Sequence, residues 1–355
     1  MRGVIAIALL AATVHAAPLT NAIAAARAEV GQKLATNAPG FSIAVGREKK
    51  ILWAEGFGFA DVARHKPVTP QTQFRIGSVS KPLTAAGLMR LVELDKIDLD
   101  ADIHKYVPDF PDKGAVITTR ELAGHLAGFR HYRGTEAYAN THYNSLRAGL
   151  KIFEDDPLLF KPGEKFSYSS YGFNLISVVM ESAAREKYAD WMRQAVFEPL
   201  QMTNTVPDPA TPEPPGCTCF YELDASKTHF VIAPPVDNGF KLASGGYLST
   251  PKDLVRFGFA MLHAGLLKQA SLDTLFTSQK TAGGQSTGYG IGWSIRHDLQ
   301  GHRVWSHNGG AIGGSAVLAI YPDSGVVIAM TANSMGGLDQ AGNSIRLIAD
   351  EFTAP

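Results

Sequence analysis

The chain has only two cysteines among 355 residues, and they sit one residue apart as Cys217 and Cys219. A disulfide framework is therefore excluded, and a bridge closing so tight a loop would be strained. Two thiols without further cysteine partners also make a poor zinc site. Reduced thiols and a rare strained disulfide both remain open for this pair. Net charge is lacking as well: 33 lysines and arginines balance 33 aspartates and glutamates. Without a basic excess the chain carries no electrostatic footprint for nucleic acid or an anionic membrane.

Long apolar runs are missing beyond the N-terminus. There, Met1-Arg2 is followed by the apolar stretch Gly3 to Val14 and then by small residues at Ala16 and Ala17. The run is too short to span a bilayer, and Val14-His15-Ala16 fits a small-residue cleavage site. Residues 1–16 are read as an export signal, with residues 17–355 as a single catalytic domain. The processed protein is expected to be exported, periplasmic or secreted, with no integral membrane segment.

What is present is an ordinary globular composition, 45% apolar and 19% charged, with 35 glycines and 20 prolines. Leu19 to Ala35 reads as an alanine-rich helix. Phe41 to Val45 and Ile51 to Gly58 flank the charged turn Arg47-Glu48-Lys49-Lys50, which is a hairpin pattern. Apolar positions from Val79 to Leu94 fit helical spacing, as do Thr119 to His125 and Gly172 to Glu186. Five prolines between Val206 and Pro215 mark a loop. Tyr289 to Ile295, Arg303 to Ser306, Ser315 to Tyr321 and Val326 to Thr331 read as strands, closed by a helix from Ala341 to Phe352.

Strands at both chain ends with helices between predict an α+β fold: one antiparallel sheet built from the two ends and flanked by helices, beside a mainly helical lobe. The sheet lobe is expected over about 17–75 and 285–355 and the helical lobe over about 76–284, with a cleft between them.

Within Phe74-Arg75-Ile76-Gly77-Ser78-Val79-Ser80-Lys81, Ser78 and Lys81 stand three residues apart at a helix start. That spacing puts both on one helical face, so the lysine can meet the serine hydroxyl, while Ser80 cannot share the face. A serine needs a neighbouring base to become a nucleophile, and a partly desolvated lysine near the positive end of a helix dipole can supply one. Alone, the pattern reads better as an N-cap serine and a solvated lysine, since this spacing occurs by chance in many proteins. Two other stretches bear on the choice. Lys161-Pro162-Gly163 to Tyr168-Ser169-Ser170 delivers a tyrosine just before a helix, and Trp305-Ser306-His307-Asn308-Gly309-Gly310 is a strand end rich in small residues.

Taken in this order, Ser78-Val79-Ser80-Lys81, Tyr168-Ser169-Ser170 and His307-Asn308-Gly309 resemble the three motifs of the serine β-lactamase and penicillin-binding-protein superfamily. The similarity is to its class C-like branch of carboxypeptidases, aminopeptidases and esterases. Gly245-Gly246-Tyr247-Leu248-Ser249-Thr250 is similar to the supporting context of that branch, and His125-Leu126-Ala127-Gly128-Phe129-Arg130-His131-Tyr132 resembles especially the mitochondrial serine β-lactamase-like proteins and their bacterial relatives, regarded as peptidase-type enzymes.

The resemblance implies a β-lactamase/transpeptidase-like fold and a serine hydrolase that forms an acyl-enzyme at Ser78. Lys81 and Tyr168 would share the proton work, Tyr168 acting as a base only where cations favour its phenolate and otherwise as a relay. The backbone N–H groups of Ser78 and Gly310 would form the oxyanion hole. Ser170, His307, Asn308 and Gly309 would contact substrate, with His307 holding Tyr168 or a substrate carboxylate and changing charge between pH ~5 and 8.

Ser170 departs from the asparagine that usually ends the middle motif, and His307 stands where class C β-lactamases carry lysine. Both departures favour peptide or ester substrates over β-lactams. Lys280-Thr281-Ala282 lacks the glycine and strand pattern of a third motif. No metal or other cofactor is implied, since His125, His131 and His142 do not have metal-ligand spacing. Arg130, His131 and Tyr132 are expected to border the cleft. The expected substrate is a peptide or peptide-like amide; an esterase, a weak β-lactamase or a non-turnover binding scaffold are the alternatives.

Overall fold

The computed structural model describes residues 19–31, 37–208, 214–339 and 341–353. The export-signal stretch lies outside them, as does part of the Val206–Pro215 loop. Helix α1 spans residues 19–31. Strands β1 (Gly40–Arg47) and β2 (Lys50–Asp61) form the expected hairpin, with Glu48 and Lys49 both in the left-handed region at φ 53° and 63°. Two consecutive positive φ angles match the right-handed twist of the flanking strands.

The short β3 (Lys66–Pro67) is followed by the helices α2 (Ser80–Glu93), α3 (Ser170–Ala184) and α4 (Pro251–Leu262). The chain then returns as β4 (Ser294–His297), β5 (Arg303–Ala311), β6 (Gly314–Tyr321) and β7 (Val326–Ala332), and ends in α5 (Ala341–Thr353). These seven strands form one antiparallel sheet in the order β3-β2-β1-β7-β6-β5-β4. The two chain ends meet where β1 pairs with β7, so the α+β architecture holds.

Side-chain alternation divides the core in two. Ile43, Val45, Val317, Ala319, Ile328 and Met330 point to the face covered by α1 and α5, packing on Ala22, Ala26, Ile345 and Ile348. Ala44, Leu318, Ile320, Val327 and Ala329 point the other way, toward Leu254, Val255 and Phe257 of α4 and Leu83 of α2. Helix α2 is buried over most of its length, from Ser80 through Met89. It forms the centre of the molecule and carries Lys81 with it. The middle of the chain also holds a small sheet made of Phe74–Arg75, Tyr247–Ser249 and Val206–Pro207.

The structure corrects one strand. Tyr289 to Trp293 is irregular apart from a single bridge between Tyr289 and Ser294, and regular pairing begins only at Ser294. The two glycines explain it: Gly292 has φ 76°, and a Cβ on Gly290 would lie 2.0 Å from the Leu275 carbonyl. This stretch folds back against the rest of the chain rather than lying flat in the sheet. Among the described residues, no helix is long and apolar enough to cross a membrane.

Candidate active site

The turn Gly77–Val79 enters α2 with Ser78 half-buried at its mouth. Gly77 has φ 49°, and a Cβ there would lie 2.5 Å from the Gly310 carbonyl. Gly309 faces the same turn, its absent Cβ lying 2.0 Å from the Ile76 carbonyl and 3.1 Å from the Ser78 nitrogen. The end of β5 and the serine turn therefore touch backbone to backbone. Gly309 was expected to admit a substrate; the chain's own Ile76–Ser78 turn takes that space instead. Gly310 has nothing within 4 Å of its Cβ position and lines the cleft with Ser78. Pairing of β5 to β4 stops at Ser306, which leaves its far edge open toward that cleft.

Lys81 is fully buried, and its Nζ lies 3.1 Å from Ser78 Oγ, 3.1 Å from Ser170 Oγ and 2.7 Å from the Ser244 carbonyl. Burial disfavours the ammonium and holds its pKa well below the ordinary lysine value. The three contacts also suit a neutral amine. Two N–H groups donate to Ser170 Oγ and the Ser244 carbonyl, and the lone pair accepts the Ser78 proton.

Tyr168 packs its ring 4.9 Å from Lys81 Nζ. Burial pushes its phenol above the ordinary value, and hydrogen bonding with Ser78 and Ser170 offsets part of the rise. The relay form is therefore favoured over the phenolate. Ser169 caps α3 by accepting from the Gly172 N–H at 3.2 Å, so the helix begins at Ser170, two residues before the expected start. The imidazole Nδ1 atoms of His125 and His131 accept from the Ser169 and Ser170 N–H groups, both at 3.2 Å. These histidines hold the middle stretch in place. His125 also lays its ring 4.3 Å from that of Tyr168, and its buried Nε2 has no partner among the described residues.

His307 sits on the same side of β5 but does not present a free ring nitrogen. Its Nδ1 lies 2.7 Å from the Asn308 carbonyl, which can only accept, so Nδ1 carries the hydrogen. Nε2 then accepts from the Tyr289 hydroxyl at 2.8 Å. Burial and the nearby Lys81 push the imidazole down to about 3, so it does not change charge between pH 5 and 8 as expected. The ring holds neither Tyr168 nor a carboxylate through hydrogen bonds; it packs against Tyr168 at 6.1 Å between centroids.

Asn308 also requires a correction, because alternation along β5 sends its side chain to the opposite face. There it lines a groove with Ser306, Val317 and Arg346, away from Ser78.

Ser78, Ser170 and Gly310 thus share one cleft of about 290 Å³ with His131, Tyr132 and Lys241. Arg130 does not border it, being held by Glu136 and Asp156 at 2.7 and 2.6 Å. Sequence reasoning missed the Ser244 carbonyl, which has no side-chain signature, and Lys241, which stands outside the three motifs. Among the described residues no group of three or more His, Cys, Asp and Glu is arranged to hold a metal.

The Beta-lactamase family model matches residues 21–351. The chain is 30% identical to the mitochondrial serine beta-lactamase-like protein LACTB of Mus musculus, over 81% of this chain and 70% of that protein. It is 27% identical to penicillin-binding protein 4* of Bacillus subtilis, over 77% of this chain and 63% of that one. Among solved structures, D-amino acid amidase from Ochrobactrum anthropi SV3 superposes with a TM-score of 0.82 at 21% identity, covering 94% of this chain and 98% of that one.

Two outcomes follow from this geometry. Gly309→Ala destabilises the protein by roughly 1–3 kcal/mol in denaturant unfolding, because its methyl meets backbone that cannot yield, whereas Gly310→Ala leaves stability unchanged. A Gly309→Ala protein as stable as the parent would contradict the contact. His307 is held neutral in the folded state and has its ordinary value unfolded, so the unfolded chain binds more protons between about 3 and 6.5. Stability therefore falls as pH drops through that window, by up to about 1.4 kcal/mol per pH unit from this group. His307→Gln flattens that slope in urea titrations at stepped pH.

Proposed function

The chain belongs to the beta-lactamase family of serine hydrolases, and from that premise we propose that Ser78 is its nucleophile and that it cleaves peptide or peptide-like amide bonds through an acyl-enzyme. The observation that carries the reading is the buried Lys81 amine, 3.1 Å from Ser78 Oγ. As Oγ attacks the substrate carbonyl, its proton passes to Lys81 Nζ. The C–O bond forms and the carbonyl oxygen takes the negative charge, facing the N–H groups of Ser78 and Gly310. Collapse of that intermediate breaks the C–N bond. Tyr168, protonated and adjacent to Ser78, gives its proton to the leaving nitrogen and is reprotonated from the Lys81 ammonium. Water then attacks the ester, its proton follows the reverse route, and Ser78 regains its hydrogen.

Amidase activity in structurally similar proteins such as D-amino acid amidase favours an amide over a β-lactam, and so does the pair of departures at Ser170 and His307. An exported setting is part of the same reading, supported by the basic and apolar segment ending at Ala16.

A neutral fluorophosphonate probe followed by mass spectrometry is expected to label Ser78, with no label in Ser78→Ala. Lys81→Met should lower kcat on a cleaved amide by roughly 10²–10⁴-fold, the range for loss of a positioned general base. Label that persists in Ser78→Ala, or near-normal turnover in Lys81→Met, would sink the mechanism. N-terminal sequencing of the secreted protein should start after Ala16; a retained Met1 in the exported fraction would refute the leader.

A further inference from the structure

Lys241 ends the turn Gly239–Lys241, which runs directly into the short helix Leu242–Gly245 that offers the Ser244 carbonyl to Lys81. The side chain is buried, 7% exposed, yet it lines the same cleft as Ser78, Tyr132, Asn238 and Gly310. An ammonium has three hydrogens to donate, and Nζ gives one to the Ala137 carbonyl at 3.2 Å. No carboxylate among the described residues forms an ion pair with it.

The acidic groups nearby are already committed. Asp208 is paired with Arg75 at 2.7 Å and accepts from the Asn238 amide. Asp237 accepts from the Gly239 N–H and faces His142 Nδ1, both at 2.8 Å. A buried cation with donors to spare is costly unless something completes its shell. Nζ also lies 5.7 Å from the Tyr132 ring centroid and 5.5 Å from that of Phe240. Ring faces leave its remaining N–H donors without an oxygen acceptor, and the cleft it lines is where one can be supplied.

The remaining titratable groups of the cleft sharpen the point. Lys81 is held toward its neutral amine, and burial pushes the His131 imidazole down to about 4. Burial and the Arg75 guanidinium press Lys241 down to about 8, with Asp208 and Asp237 acting the other way, so at pH 7 it remains mostly an ammonium. The cleft therefore holds a fixed positive charge that the Ser78 chemistry does not use.

We propose that Lys241 is an anion subsite of the catalytic cleft, receiving a carboxylate carried by the amide substrate and so selecting negatively charged substrates over neutral ones. The inference rests on Ser78 being the nucleophile only for where the substrate lies; the subsite itself can be read by binding. An ammonium that binds a carboxylate in a partly desolvated cleft discriminates against the neutral isostere, because the isostere leaves the charge without its counter-ion.

The test uses matched peptide amides. N-succinyl is compared with N-acetyl, and a free C-terminal carboxylate with a C-terminal carboxamide, so that either side of the scissile bond is covered. In the parent protein one carboxylate member should exceed its neutral partner at least tenfold in kcat/KM, with the difference in KM rather than kcat. Lys241→Met should bring that ratio close to one, Lys241→Arg should keep most of it, and Lys241→Glu should reverse it toward a cationic partner. Calorimetry on Ser78→Ala with the same pairs reads the subsite without turnover: the carboxylate form should bind at least tenfold more tightly, and Ser78→Ala/Lys241→Met should lose the difference. No carboxylate preference in the parent, or the same preference in Lys241→Met, overturns the proposal. If the pairs bind as expected but fluorophosphonate leaves Ser78 unlabelled, the subsite stands and the assignment of Ser78 fails.

Discussion

A lysine amine with no exposure to solvent is the constraint around which the rest of the site is arranged. An ammonium taken out of water pays a desolvation penalty of several kcal/mol, and the protein avoids most of it by favouring the uncharged form. That is possible only because α2 is buried over most of its length and because three oxygens from three separate segments reach Nζ: Ser78, Ser170 and Ser244. Each of those segments is fixed in turn. Ser78 is pressed by the end of β5, Ser170 is held by the His131 imidazole, and Ser244 rides on the short helix that follows Lys241. The position of one nitrogen thus ties the sheet to the helical part of the molecule.

The second constraint is the strand β5, whose two faces do different work. Inward, Gly309 lets backbone meet backbone at the serine turn, and His307 packs behind Tyr168. Outward, Asn308 joins the groove under α5. One residue of register separates these fates, since a strand sends successive side chains to opposite faces. Tyr289 then fixes the state of His307. Its own phenol is pushed well above the ordinary value by burial, so it stays a donor, and a donor at Nε2 requires an imidazole without a proton there.

Much of this was legible in the sequence, and the exceptions have physical causes. The hairpin around Glu48 and Lys49, the α2 pattern from Val79 to Leu94 and the pairing of both chain ends into one sheet follow from local periodicity, which strands and helices carry in their own residues. The Ser78–Lys81 contact is compatible with the three-residue spacing, but that spacing alone also allowed a capping serine and a solvated lysine. Tyr168 was found through its order along the chain, not through anything local. What escaped was non-local: the Ser244 carbonyl has no side-chain signal, and the roles of His125 and His131 depend on backbone N–H groups about forty residues away. Asn308 was misread by treating a motif as a unit when the strand's alternation had already separated its members. Tyr289 to Trp293 resembled a strand because apolar residues alternate with glycine, but glycines there serve close approach rather than pairing.

The charge state of the site has a consequence for how catalysis would be driven. Where resembling class C enzymes carry a lysine, this chain has a histidine held neutral, and Lys81 itself is held toward the amine. Apart from Lys241 the cleft therefore meets its substrate with little positive charge, and binding of the ground state gains little from that source. In the proposed mechanism the balance changes when Ser78 gives up its proton. An ammonium would then stand on Lys81, 3.1 Å from the oxygen forming its bond to carbon, at the stage when negative charge grows on the carbonyl oxygen. A cation produced by the reaction itself, inside a buried site of low polarity, interacts with that charge more strongly than a permanent solvated one would. Its attraction is absent in the substrate complex and present near the transition state, which is the kind of interaction that raises kcat rather than merely tightening binding.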